Sequence, residues 1–176
     1  MFLRRAHSTT ARVILVGITA GAAASWVKSL AEPRLQELGE RIWPPTTEQK
    51  SLPGGDVTDR PERMPPAILI RRVAGRVLGR DIDENRSTEL MPAIHYGFGI
   101  GFGVAHSLVA RRRPEVTTGL GIPAGVALWL ATHGSVVPAM GLQAAPTAMA
   151  RSWYVWELGS HLVFGAALEA VRRIGT

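Results

Sequence analysis

Two stretches of this chain lack Asp, Glu, Lys and Arg, and each is long enough to cross a lipid bilayer. One is the 21 residues between Glu89 and Arg111; the other is the 35 residues between Glu115 and Arg151. A bilayer core takes about 20 residues of helix. Inside it every backbone N–H and C=O must find a partner within the protein. Helices meet that demand segment by segment, so the runs point to an all-α integral membrane bundle. The mean hydropathy of +0.10 conceals this, because the charge is gathered into residues 32–89.

The pattern predicts four transmembrane helices in a single domain, over about residues 13–30, 90–110, 117–139 and 153–171. A polar, Pro-rich insert, residues 32–89, separates the first from the second. Residues 33–66 hold seven of the twelve prolines and read as extended or turn-rich backbone. Over about 67–80, Leu69, Ile70, Val73 and Val77 alternate with Arg71, Arg72, Arg76 and Arg80. That spacing suits an amphipathic helix at the membrane surface or across the mouth of the bundle.

Arginines set the orientation. Arg4, Arg5 and Arg12 precede the first span, Arg111, Arg112 and Arg113 join the second to the third, and Arg172 and Arg173 follow the fourth. Only Arg151 lies in the turn between the third and fourth. Positive charge favours the cytoplasmic side, so both termini are expected there and the insert outside. Arg4, Arg5 and the Ala22-Ala23-Ala24 stretch also read as a cleavable signal, which would leave three spans. The net charge of +6 follows from topology. No basic–aromatic interleaving points to nucleic acid, so the bilayer is the expected partner, with a second copy or another membrane protein beside it. The absence of cysteine removes disulfides, thiolate ligands and cysteine nucleophiles.

Small residues recur four apart: Gly17 and Gly21, Gly97 and Gly101, Gly99 and Gly103, Gly121 and Gly125. Such pairs let membrane helices approach closely. The glycine-rich stretch 97–103 follows no strand, so it reads as helix contact rather than a phosphate loop.

Ionisable groups in hydrocarbon are costly and mark function or internal pairing. Four histidines lie in the apolar runs: His95, His106, His133 and His161. At 1.5 Å per residue, Lys28, His95, His133, Glu157 and His161 all fall within about 12 Å of the outer boundary. His106 and Glu169 fall near the cytoplasmic side, where Arg172 and Arg173 account for Glu169. Three readings of the outer cluster stay open. His95, His133, His161 and Glu157 are the right residue types for a metal. Histidines beside a carboxylate also suit a proton-responsive site, and interhelical hydrogen bonding needs nothing more. Lys28 is placed to neutralise Glu157 in each case. No Ser or Thr has the acid and base of a nucleophilic enzyme around it, and no cofactor is identified.

Several of these residues together resemble the YagU family of small bacterial inner-membrane proteins. The likeness is carried by Gly21 through Lys28 to Glu32, by His95, and by His133 with Pro138 and Gly141-Leu142. It continues through Trp153-Tyr154, Glu157, Gly159-Ser160-His161 and Glu169 ahead of Arg172-Arg173. The resemblance implies a multi-pass inner-membrane protein of undefined molecular activity, with a link to acid or envelope stress. A membrane metal-binding protein or enzyme, and a structural or assembly partner of another membrane complex, are the alternatives.

Overall fold

The computed structural model describes residues 9–175, so Arg4 and Arg5 lie outside the described residues. The described chain is helical, with no strand. The helices are α1 (Thr10–Ile42), α2 (Thr47–Ser51), α3 (Pro65–Leu78), α4 (Glu84–Arg112), α5 (Ile122–Ala131), α6 (Val137–Ala139) and α7 (Arg151–Gly175). A π-helical turn, Thr132–Val136, joins α5 to α6. Among the described residues three helical stretches are long and apolar enough to cross a membrane: Thr10–Ile42, Glu84–Arg112 and Pro114–Ala139. The last is not one helix over 117–139 as expected, because the backbone leaves helical geometry at Thr118, Gly119 and Leu120 before α5 begins. Leu15, Trp26, Phe98 and Leu130 are more than half exposed on them, an apolar exterior suited to lipid.

Helix α1 starts at Thr9, whose hydroxyl caps the Arg12 N–H. It does not stop near residue 30, where the apolar run ends. It continues through Pro33 to Ile42, so residues 33–42 are helical rather than extended. The cause is a polar row at helical spacing. Lys28 pairs with Glu32, and Gln36 Nε2 donates to Glu40 Oε1 at 2.7 Å. The row is sheltered rather than solvated: Gln36 and Gly39 are buried, and Gly39 abuts the Ser152 backbone of α7.

Helix α1 packs on both α4 and α7, and α7 packs on α5. The α1–α4 crossing is made by glycine. A Cβ on Gly17 would lie 2.6 Å from Val104 Cα, and one on Gly103 would lie 2.8 Å from Gly21 Cα. Gly99 faces Gly21 and Ser25. Gly97 and Gly101 take no part, with nothing within 4 Å of their Cβ positions. Two residues turn a helix by about 200°, so they face away from the seam that Gly99 and Gly103 form. Gly121 and Gly125 meet α7 at Gly165, whose Cβ position is 2.8 Å from Gly125 N.

Helix α7 matches the others in length but falls short in apolarity, because Glu157, His161 and Glu169 dilute it. All three are buried, as are Trp153, Trp156, Phe164 and Leu168. This helix is the central one and is enclosed by its neighbours.

The segment between α1 and α4 is tied to one end of the bundle. Trp153 Nε1 donates to the Gly54 carbonyl at 3.1 Å. Buried Asp56 accepts from Gln36 at 2.7 Å and pairs with Lys50 at 3.1 Å. Helix α3 lies over that end. Arg71 donates to Ser87 Oγ at 2.6 Å, and Arg72 donates to the carbonyls of Met140 and Gly141. Val73 and Val77 face outward, 44% and 73% exposed.

Candidate functional site: a buried Glu157, His133 and His161 cluster

The site forms where the α5–α6 rod bends. In a regular helix the Pro138 ring would crowd the carbonyl of Gly134, four residues back, and leave it without a donor. The chain widens into the π turn instead. Val137 N–H bonds the Thr132 carbonyl, five residues away. The hydroxyls of Thr132 and Ser135 reach back to Leu128 and Ala131 carbonyls at 2.7 and 2.8 Å. Such π-bulges concentrate at functional sites. His133 sits inside this one.

Across from it, α7 presents Glu157 and His161, one turn apart on a single face. His133 Nε2 lies 3.5 Å from Glu157 Oε1, and His161 Nδ1 lies 3.4 Å from the same oxygen. Lys28 Nζ is 4.0 Å away. No hydrogen bond reaches this oxygen, although Glu157 is 1% exposed. Buried carboxylate oxygens normally have partners. A ligand atom from each of His133, Glu157 and His161 lies within 4.8 Å of the others.

The histidines are oriented by neighbours. His133 Nδ1 lies 2.6 Å from Gln143 Oε1, while the Gln143 amide nitrogen donates to the His133 carbonyl. The Nδ1–H therefore donates, and the Nε2 lone pair is left facing Glu157. His161 Nδ1 lies 2.8 Å from the Glu157 carbonyl, so its proton is held by its own helix. The two rings meet edge to face, 5.2 Å apart.

The remaining residues singled out in the sequence fall around this centre or away from it. His95 is outside the trio. It lies on α4, where its Nε2 is 3.3 Å from the Ser25 carbonyl and donates to it, so a four-ligand set that includes His95 does not form. Lys28 has Glu32 as its direct partner and Glu157 only as a more distant one. His106 is on the far side, 3.4 Å from Glu169 Oε2 and stacked on Phe102. Glu169 also takes Arg172 at 2.8 Å and Arg173 at 2.7 Å, so salt bridging accounts for it.

Two participants escape a reading by apolar runs. Glu32 lies beyond Leu30, where that reading ends the first span, and its i+4 spacing from Lys28 and its place in the YagU likeness point to it instead. Gln143 comes from the loop after α6 and has no periodic signal at all.

A cavity of about 440 Å³ adjoins the cluster, lined by His133, His161, His95, Lys28 and Ser25 together with apolar side chains. No curated protein and no solved structure matches the chain. A family model described as "Protein of unknown function (DUF1440)" matches residues 39–170, which include the π turn, Gln143, Glu157 and His161. With well over half its length matched, the chain belongs to the DUF1440 family.

Proposed function

We propose that this is a four-span protein of the bacterial inner membrane that binds one divalent metal ion of the zinc class through His133, Glu157 and His161. The observation that carries the reading is Glu157 Oε1. Nitrogens of His133, His161 and Lys28 surround it at 3.5, 3.4 and 4.0 Å, and none of them bonds to it. Tetrahedral ligands about 2.0 Å from zinc stand on the order of 3.3 Å apart. The two histidine separations match that edge, and no hydrogen bond is made across either of them.

Two further features support the reading. The Gln143 amide fixes the tautomer and ring of His133, the role that outer partners take around metal-bound histidine. Charge points the same way. With neutral histidines and both carboxylates ionised, as metal binding through Glu157 requires, Lys28 stands against Glu32 and Glu157, so one negative charge is left for the metal to offset. Binding through His161 Nδ1 requires the proton now donated to the Glu157 carbonyl to move to Nε2, so metal uptake switches the tautomer of a neutral ring.

The topology rests on the arginines. Arg12 bonds the Gly175 carbonyl, Arg111 bonds Thr10, and Arg173 bonds the Thr117 carbonyl. The basic flanks of four segments therefore gather at one end, as cytoplasmic termini require. Helix α7 spans as the inner helix of the bundle, its polar groups turned away from lipid. The insert and the metal centre lie at the outer end. The YagU likeness is consistent with this membrane assignment.

Metal analysis of protein purified without chelators tests the proposal. One zinc-class ion per chain is expected, lost in His133→Ala and kept in His95→Gln. Absence of metal after reloading with zinc would end this reading. It would leave the acid- or envelope-stress role that the YagU likeness implies, or a structural role beside another membrane protein.

A further inference from the structure

The cavity beside the cluster has a composition that the metal centre alone does not explain. Leu69, Phe98, Leu128, Val136 and Phe164 line most of it. Its polar groups, Ser25, Lys28, His95, His133 and His161, belong to the side where the proposed centre lies. Ser25 Oγ is buried there without a hydrogen-bond partner. Phe98 and Val136, 63% and 53% exposed, place the mouth on the apolar outer surface between α4 and the α5–α6 rod. Pro65, Pro66 and Leu69 of α3 close the end over the bundle. A volume of about 440 Å³ is in the range of small-ligand pockets, which combine an apolar body with a few convergent polar groups.

We infer that this cavity binds a single acyl chain ending in a carboxylate, taken from the bilayer, with its head at the metal. The inference rests on the metal reading above. Three protein ligands leave the fourth position of a tetrahedral ion open, and His133 and His161 line the cavity, so that position faces it. Charge selects the head group. With both carboxylates ionised, Lys28 protonated and the histidines neutral, the cluster carries one unbalanced negative charge without metal and one unbalanced positive charge with a divalent ion. A monoanion restores neutrality in a buried place and a neutral alcohol does not. A phosphodiester lipid is also a monoanion, and the cavity of about 440 Å³ favours one acyl chain over two. Carboxylate oxygen is itself a zinc ligand, and the unpartnered Ser25 hydroxyl offers a donor to the second oxygen.

The test uses the full chain in phosphatidylcholine nanodiscs, with palmitate and cetyl alcohol as probes and bound zinc measured in the same samples. Zinc-loaded protein should bind one palmitate per chain, about tenfold or more tighter than metal-free protein binds it and than either form binds the alcohol. Leu69→Trp, which fills the cavity from α3, should keep its zinc and lose palmitate. Zinc bound one to one with palmitate no better than the alcohol would overturn the inference and leave the metal reading standing. So would displacement of palmitate by phosphatidylglycerol, which would assign the cavity to a bilayer lipid. Failure to bind zinc would overturn both.

Discussion

Glu157 holds the centre of this account because its surroundings are inconsistent with a merely packed carboxylate. The other buried carboxylates show what satisfaction looks like here. Glu169 has two arginines within 2.8 Å. Asp56 accepts from Gln36, from the backbone of Thr58 and Asp59, and from Lys50. Burial works against the Asp56 charge, but those bonds outweigh it and hold the carboxyl below its usual range. A carboxyl depressed in the folded state contributes stability above its unfolded pKa of about 4, and that stability is lost as pH falls through the lower folded value. Thermal unfolding followed from neutral pH downward should therefore show a loss below about pH 4 that Asp56→Asn lacks. At neutral pH, Asp56→Asn should itself cost about 1–3 kcal/mol, since the groups around it lose a charged acceptor. Identical acid profiles for the two proteins would remove Asp56 from the acid-labile set. At this scale the sequence is informative where residues share a helix. Glu157 and His161 are visible as an i, i+4 pair, and Lys28 with Glu32 follows the same spacing. Gln143 is not visible, because a loop residue's partner depends on tertiary geometry alone.

The elements divide into those their glycines explain and one their proline explains. The α1–α4 seam depends on backbone contact at Gly17, Gly21, Gly99 and Gly103, and overfilling such a contact costs about 1–3 kcal/mol or more. Gly21→Val should therefore destabilise the protein by at least that much in thermal unfolding in detergent. Gly101→Ala, on the open side, should change stability by no more than about 0.5 kcal/mol. Equal effects would mean that the seam is not where the stability resides. Spacing by four marks both glycine pairs of α4 equally, and only the position of the neighbouring helix separates them. The π turn has a faint signal, Pro138 four residues after Gly134. The end of α1 has a misleading one. Apolarity stops near Leu30, yet the helix runs on because Lys28 pairs with Glu32 and Gln36 with Glu40 along it.

At the scale of the molecule, long uncharged runs make the all-helical membrane character legible, because backbone pairing in lipid leaves few alternatives. They also predict a fourth span over about 153–171; α7 is a helix there but is not among the three apolar enough to cross a membrane. Its buried polar groups lower its hydropathy, and enclosure by α1 and α5 cannot be read from its own residues. Single cysteines test the topology cleanly in a chain that has none. In spheroplasts, a membrane-impermeant thiol reagent should label Glu48→Cys but should reach Glu115→Cys and Ile174→Cys only after lysis. Labelling of Ile174→Cys from outside would mean that α7 does not cross. Topology sets where the centre sits, but coordination decides whether it is one. The X-ray absorption spectrum of the zinc-loaded protein tests that most directly. Nitrogen and oxygen ligands are expected at about 2.0–2.1 Å with the scattering signature of two imidazoles, lost together with the bound zinc in His133→Gln. A zinc spectrum without imidazole, or one that His133→Gln leaves unchanged, would contradict that coordination.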